Sequence, residues 1–308
     1  MKRSAPPREM PEPPPAAVFN ASNTRRRLRG ERVWFWALRV TTASILAVLA
    51  IILWFLLRRG LGKAVSWKFL SGMPREGMTE GGILPAIVGT LLLTAASMAV
   101  ALPLGILSAV YLNEYAKDGW LKRVIRLATS NLAGVPSVVF GLFGMALFVK
   151  GLGFGTSILA GGFTLALVAL PVIIRTSEEA LKAVPKDYRQ ASLALGATRW
   201  QTVRHVVLPA SASGILTGSI LSVGRVAGET APILFTAAAY FLPRLPHSLL
   251  DQVMALPYHL YVIATSGNQI EKSRPMAYGT AVVLVFLILG MNLLAVTLRQ
   301  RFRKMVKN

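Results

Sequence analysis

Two charges inside an apolar run set the chemical question for this chain. Arg225 and Glu229 lie four residues apart within the segment Ala210–Phe241, which is otherwise built mostly from small and apolar residues. On a helix turning about 100° per residue, Ser211, Gly214, Gly218, Ser222, Arg225 and Glu229 share a stripe about 60° wide. A charge at the bilayer centre costs about 2.5–3.5 kcal/mol on insertion scales, so it persists only where that face meets another helix or a watery path. Arginine suits an oxyanion, because its planar fork donates paired hydrogen bonds and it stays charged. Glu229, one turn on, would set the arginine's rotamer and weaken its hold on an anion enough for release. The competing reading is a structural ion pair that fastens two helices. Arg175, at the end of the run Ser157–Ile174, is either an inner anchor or a group at the pathway's mouth. Asn131 and Ser137, near Pro136, are further pathway candidates, with helix-packing hydrogen bonds as the alternative.

The elements that must position these residues are membrane spans. The chain has 308 residues, of which 54% are hydrophobic and 15% charged. That apolar share, gathered in long runs, indicates a membrane protein. Six spans are expected, at about Trp34–Leu57, Ile83–Tyr111, Leu127–Val149, Ser157–Ile174, Ala210–Phe241 and Met276–Leu298. Several contain proline, which suggests bends rather than straight rods. Residues 1–33, Pro-rich to about residue 20 and then Arg-rich, read as a disordered cytoplasmic tail. The first span, 34–57, is too long for a signal-peptide core and reads as an anchor. The loop Leu242–Pro275 is expected to hold a short helix at the outer interface.

A net charge of +21 raises the question of nucleic acid, but position argues otherwise. With the amino terminus inside, 23 of the 34 Lys and Arg fall on inner segments and 9 on outer ones. This is the positive-inside bias, and it places both termini in the cytoplasm. There is no cysteine, and the three histidines have no metal-ligand spacing. Gly151-x-Gly153-x-Gly155 lacks the strand and helix of a nucleotide fold and reads as a tight outer turn. No Walker A sequence occurs, so ATP binding is not expected of this chain. Glu178 and Glu179 follow Thr176 and Ser177 and read as a helix start, not a catalytic pair.

Between the fourth and fifth spans lies a polar elbow. Pro185 suits a helix start and Gly196 a left-handed stop. Thr198 and Gln201 form a T-x-x-Q capping box that opens a second short helix. The elbow carries Gln190-Ala191-Ser192, then Gly196, then Val206-Val207-Leu208-Pro209. In this spacing it resembles the EAA loop of ATP-binding-cassette importer permeases, with Gln190, Ser192 and Val206 departing from the usual Glu, Ala and Ile. Asn131–Ser137 and Gly224–Pro232 are similar to the phosphate-specific branch, the second run to its A-type permease subunit.

The resemblance covers residues 80–300 and implies an all-α polytopic membrane protein. It implies the type I importer-permease fold, six transmembrane helices and a coupling loop at 176–209. It further implies that Gln190, Ala191, Ser192, Gly196, Leu208 and Pro209 couple to separate ATPase subunits. The other partners implied are a second permease subunit and an extracytoplasmic phosphate-binding protein. The location implied is a bacterial or archaeal cytoplasmic membrane, and no cofactor is implied. The expected function is half of a phosphate pathway, not an enzyme; a permease for another oxyanion or small polar solute is the alternative. An intramembrane enzyme would need a nucleophile–base or metal constellation, which the sequence does not display. A scaffold protein would leave the elbow and the charged pair unexplained.

Overall fold

The computed structural model describes residues 21–265 and 270–307. The chain divides at Phe55–Leu56 into two units. The first is one helical segment, the start of α1 (Ala21–Ala64). Residues 21–33 are therefore helical, not a disordered tail; the run from Arg25 to Arg29 consists of good helix formers with no proline to stop them. The Pro-rich residues 1–20 lie outside the described residues. Within this unit Thr41, Thr42 and Ser44 return their hydroxyls to carbonyls one turn back. Arg39 rests its guanidinium 4.2 Å from the centre of the Phe35 ring.

In the second unit α1 runs on to Ala64, seven residues past the expected end at Leu57. The short helix α2 (Trp67–Ser71) and a two-residue hairpin, β1 (Pro74–Arg75) with β2 (Glu80–Gly81), follow. Then come α3 (Leu84–Val110), α4 (Trp120–Leu132), α5 (Ser137–Gly144), α6 (Ile158–Lys182), α7 (Lys186–Ala194), α8 (Arg199–Thr202) and α9 (Leu208–Gly228). The remaining helices are α10 (Ala231–Thr236), α11 (Leu256–Thr265) and α12 (Ile270–Lys307). Among the described residues, five helices are long and apolar enough to cross a membrane. A sixth crossing requires counting α4 with Ser137–Gly151 as one span, although the two are bent by 106°.

That bend corrects the expectation of one continuous span over Leu127–Val149. Pro136 cannot donate to the carbonyl of Leu132, and α4 stops at Leu132. The same logic breaks the expected span Ala210–Phe241. Pro232 cannot serve the carbonyl of Gly228, and α9 stops there. Pro103 and Pro171 stay inside α3 and α6. The two breaking prolines each have a glycine close upstream, Gly134 and Gly228, where the helix is weakest.

Helices α3 and α6 pack along their length, and α9 lies against α6 and α12. Three apolar clusters stack through the unit. One, at the level of Ile83, Leu256 and Met276, closes the end bearing the β-hairpin. One in the middle joins Leu93, Ala101, Leu165, Ala169 and Val226. The third, Ala109, Val110, Leu181, Val184, Val203 and Val207, lies beneath the elbow. The segment after α10 holds the expected short helix, α11, which buries Leu256, Pro257, His259, Val262 and Ile263 against the bundle. Leu256 N–H donates to Thr90 Oγ1 at 2.8 Å, and Gly89 has no side chain where the Met254 carbonyl passes.

Candidate functional site

Arg225 sits near the far end of α9, and depth along the bundle can be read from its neighbours. Gly214 lies against Ala180 and Gly218 against Thr176, both on antiparallel α6. Val226 enters the cluster containing Ala166 and Ala169, the middle of α6. Arg225 is therefore halfway along the bundle. Its side chain is 46% exposed, on an open face shared with Ser213, Thr217 and Leu221. Arg225 Nε meets Glu229 Oε1 at 3.4 Å, and Glu229 is only 14% exposed.

The pair exists, but the single stripe drawn from the sequence does not. Because α9 ends at Gly228, Glu229 has an extended backbone and reaches Arg225 from beyond the helix end. Ser211, Gly218 and Ser222 are buried in packing rather than facing the open side, and Ser222 Oγ bonds back to the Gly218 carbonyl at 3.0 Å. Gly224 meets a different neighbour, the amide of Asn292 on α12, about 3 Å from where a Cβ would stand. The buried Asn292 Oδ1 has no hydrogen-bond partner among the described residues. Asn292 could not be singled out from the sequence, because only the packing of α12 on α9 brings it beside Arg225's turn.

Arg175 and Asn131 belong to another place. Since α6 continues to Lys182, Arg175 is within the helix, where Arg175 Nη2 donates to Ser130 Oγ on α4 at 2.7 Å. Asn131 is exposed at the end of α4, next to that contact. Glu178 and Glu179 do not start a helix, because Thr176 and Ser177 are interior to α6 and Thr176 Oγ1 bonds back to the Val172 carbonyl. Glu178 instead accepts from Arg126 of α4 and from Lys182 at 3.0 Å. These groups line a cavity of about 220 Å³ together with Arg175, Thr129 and Ser130. The Arg126–Glu178 pair bridges 52 residues of sequence, and no local pattern announces it.

The elbow forms as its local chemistry dictates. Helix α7 starts after Pro185 and ends on Gly196 at φ +84°, the left-handed region that a side chain disfavours. Gly196 N–H bonds to the Leu193 carbonyl and Ala197 N–H to the Ser192 carbonyl, the paired bonds of a Schellman stop. The Thr198–Gln201 capping box is complete in both directions. Ser192 Oγ and Thr202 Oγ1 lie 2.9 Å apart and tie the two short helices. Gln190, Ala191 and Gly196 are exposed, and Leu195 is 90% exposed beside Tyr188, Leu193 and Trp200. Leu208 and Pro209 are half-buried in α9, with Leu208 packed on the cluster below the elbow. They set the exit of the chain from the elbow into α9. Arg189, which the sequence offered only as one more inner positive charge, is clasped to Glu114 at 2.7 Å.

Known proteins are similar to this chain in sequence and in fold. Residues 101–307 match the family described as binding-protein-dependent transport system inner membrane component. The probable ABC transporter permease protein YqgI of Bacillus subtilis is 34% identical over 265 residues, covering 82% of this chain and 89% of that protein. The phosphate transport system permease protein PstA 1 of Mycobacterium tuberculosis is 34% identical over 301 residues, 94% of each chain. The probable phosphate transport system permease protein PstA of Methanocaldococcus jannaschii is 36% identical over 213 residues, 69% of this chain and 74% of that one. Among solved structures, a bacterial alginate ABC transporter chain superposes with a TM-score of 0.64 at 15% identity, over 91% of this chain and 98% of that one. The superposition shows the all-α fold, and the family match and the relatives show the rest: this chain is a multi-pass permease of the binding-protein-dependent transport family, of the PstA type, a transport subunit and not an enzyme.

Proposed function

We propose that the chain forms half of the membrane pathway of an ATP-driven importer of inorganic phosphate. In this reading the elbow docks on a separate ATPase, and a second permease completes the pathway. An extracytoplasmic phosphate-binding protein delivers the ion. Both termini lie in the cytoplasm, in keeping with the bias of positive charge toward the elbow side.

The observation that carries this reading is Arg225, half-exposed halfway through the bundle with a single carboxylate at 3.4 Å. A cation turned toward lipid at that depth is costly, so the open face of α9 is one that water or a partner covers. The guanidinium fork fits a phosphate oxygen pair, and Glu229 offsets its charge. Relatives that carry phosphate transport in their names support the choice of ion. The elbow's exposed Leu195, Tyr188 and Trp200 support docking, because a cytoplasmic loop gains nothing from apolar side chains in water.

The test uses Arg225→Lys and the double variant Arg225→Gln with Glu229→Gln, measuring membrane abundance and initial uptake on the same cells. Lysine keeps the charge but not the fork, so uptake should fall by about tenfold or more at normal abundance. The double variant leaves no charge unpaired and should reach the membrane, yet fail to carry phosphate. Normal phosphate uptake in the well-expressed double variant would remove Arg225 from the pathway. Uptake of sulfate in place of phosphate by the wild-type importer would reassign the ion.

A further inference from the structure

Arg189 uses every donor its guanidinium has, on Glu114 and on backbone carbonyls together. Arg189 Nε lies 3.2 and 3.1 Å from the two Glu114 carboxylate oxygens, and Nη2 lies 2.7 Å from Oε1. The second Nη2 hydrogen serves the Leu181 carbonyl at 2.8 Å. Nη1 serves the carbonyls of Val184 at 2.8 Å and Pro185 at 3.5 Å. Asn113 Nδ2 also donates to Glu114 Oε1, at 2.7 Å. The side chains are only 19% and 11% exposed. One planar group thus joins three elements. They are the first half of α7, the carbonyl end of α6, and the π-helical turn Tyr111–Tyr115 that closes α3.

Helices α3 and α6 already pack along their length, so it is the attachment of α7 that is thin. Only three residues separate α6 from α7, and α7 itself buries none of its residues. Beyond Arg189, its main contacts are with neighbouring parts of the elbow: α8, through Ser192 and Thr202, and the turn Val203–Val207. Beneath the clasp, Ala109 and Val110 of α3 pack with Leu181, Val184, Val203 and Val207. The chain is π-helical at Tyr111–Tyr115, which carries Glu114, and at Val203–Val207, within the elbow, a form found mostly as single turns at functional places.

We propose that the Glu114–Arg189 clasp is the rigid link through which displacement of the elbow reaches α3 and α6. Arg189 is a positioning residue: it touches no transported ion, and it makes α7 move as one body with the helices beneath. The inference rests on the proposed docking of the elbow on an ATPase. Without the clasp, α7 swings about its short linker, and ATP hydrolysis no longer moves the spans.

The complete importer, reconstituted in vesicles with its ATPase and phosphate-binding protein, tests this. Three quantities are read together: ATPase retained on purification, ATP hydrolysed, and phosphate taken up. Arg189→Lys keeps the charge but offers three donors on a flexible stem in place of five in a plane. It should retain the ATPase and hydrolyse ATP within about twofold of wild type, while uptake falls about tenfold, so that ATP per phosphate rises severalfold. A purely structural role would lower hydrolysis and uptake in proportion. That proportional loss, unchanged uptake, or loss of the ATPase from the variant would each overturn the inference. If the lysine variant does not accumulate, Glu114→Cys with Arg189→Cys leaves no charge unpaired, and the chain has no other cysteine to interfere. A bifunctional thiol reagent joining the two should restore uptake above the unjoined level; efficient joining without recovery also overturns it. Failure of the docking reading is seen separately, as a Gly196→Val complex that keeps its ATPase.

Discussion

His259 shows how one side chain can report on a whole segment. It is 2% exposed in α11, outside the five spanning helices, and neither ring nitrogen has a hydrogen-bond partner among the described residues. Burial penalises the charged form and pushes its pKa down to about 4, from 6.5. The sign follows directly. Between those two pH values the unfolded chain binds a proton that the folded chain refuses. Stability is fully present above pH 6.5, falls as the pH drops, and levels off below about 4. A shift of this size corresponds to about 3 kcal/mol. Thermal unfolding of the detergent-solubilised protein should therefore lose midpoint between pH 7 and 4, and His259→Leu should flatten that slope. An unchanged slope in the variant would assign the acid sensitivity to other groups.

At the scale of elements the elbow is the most local structure in the molecule. Its stop rests on Gly196 at φ +84°, with nothing within 4 Å of the place a Cβ would take. Space is therefore not the obstacle to substitution; backbone conformation is. A β-branched residue in the left-handed region is strongly disfavoured, so Gly196→Val should reorient α7 against α8. The spans are untouched and membrane abundance should stay near wild type, while co-purification of the ATPase drops. Thr198→Ala removes the cap that holds the Gln201 N–H and should cost about 1 kcal/mol locally, a milder form of the same defect. Equal retention of the ATPase by Gly196→Val and wild type would mean that docking does not use this surface.

At the scale of the whole molecule, contacts sort the connecting segments onto two ends. Ser157 N–H bonds the Thr236 carbonyl, and Ile158 N–H bonds the Asp251 carbonyl. Met254 passes Gly89 near the start of α3, so these loops share one end. The elbow and the α3–α4 link share the other, joined by Glu114 and Arg189. In the proposed reading the elbow end faces the cytoplasm, in keeping with the bias of Lys and Arg toward it. Leu250, exposed on the opposite end, and Lys186, exposed on the elbow, are suited to single-cysteine labelling. Leu250→Cys should react with an impermeant thiol reagent on intact cells, and Lys186→Cys only after permeabilisation. The reverse pattern would invert the topology.

What the sequence by itself determined depends on neighbours along the chain. Apolar runs located the four expected spans that form without a break, in α1, α3, α6 and α12, because a membrane core demands about 20 apolar residues whatever lies beside them. Pro185, Gly196, Thr198 and Gln201 wrote the elbow residue by residue, because caps and stops are closed by bonds within a few positions. The breaks at Pro136 and Pro232 were legible in principle, since each proline withholds one named hydrogen bond. They escaped because Pro103 and Pro171 carry the same signal and stay inside helices whose neighbours support them. Only the tertiary structure decided which charges meet. Arg126 with Glu178 and Arg189 with Glu114 are separated by 52 and 75 residues, and Asn292 reaches Gly224 from another helix. Such pairs are chosen by how helices pack. A charge or amide carries no local mark of its partner, so its role becomes readable only when the fold has set the distance.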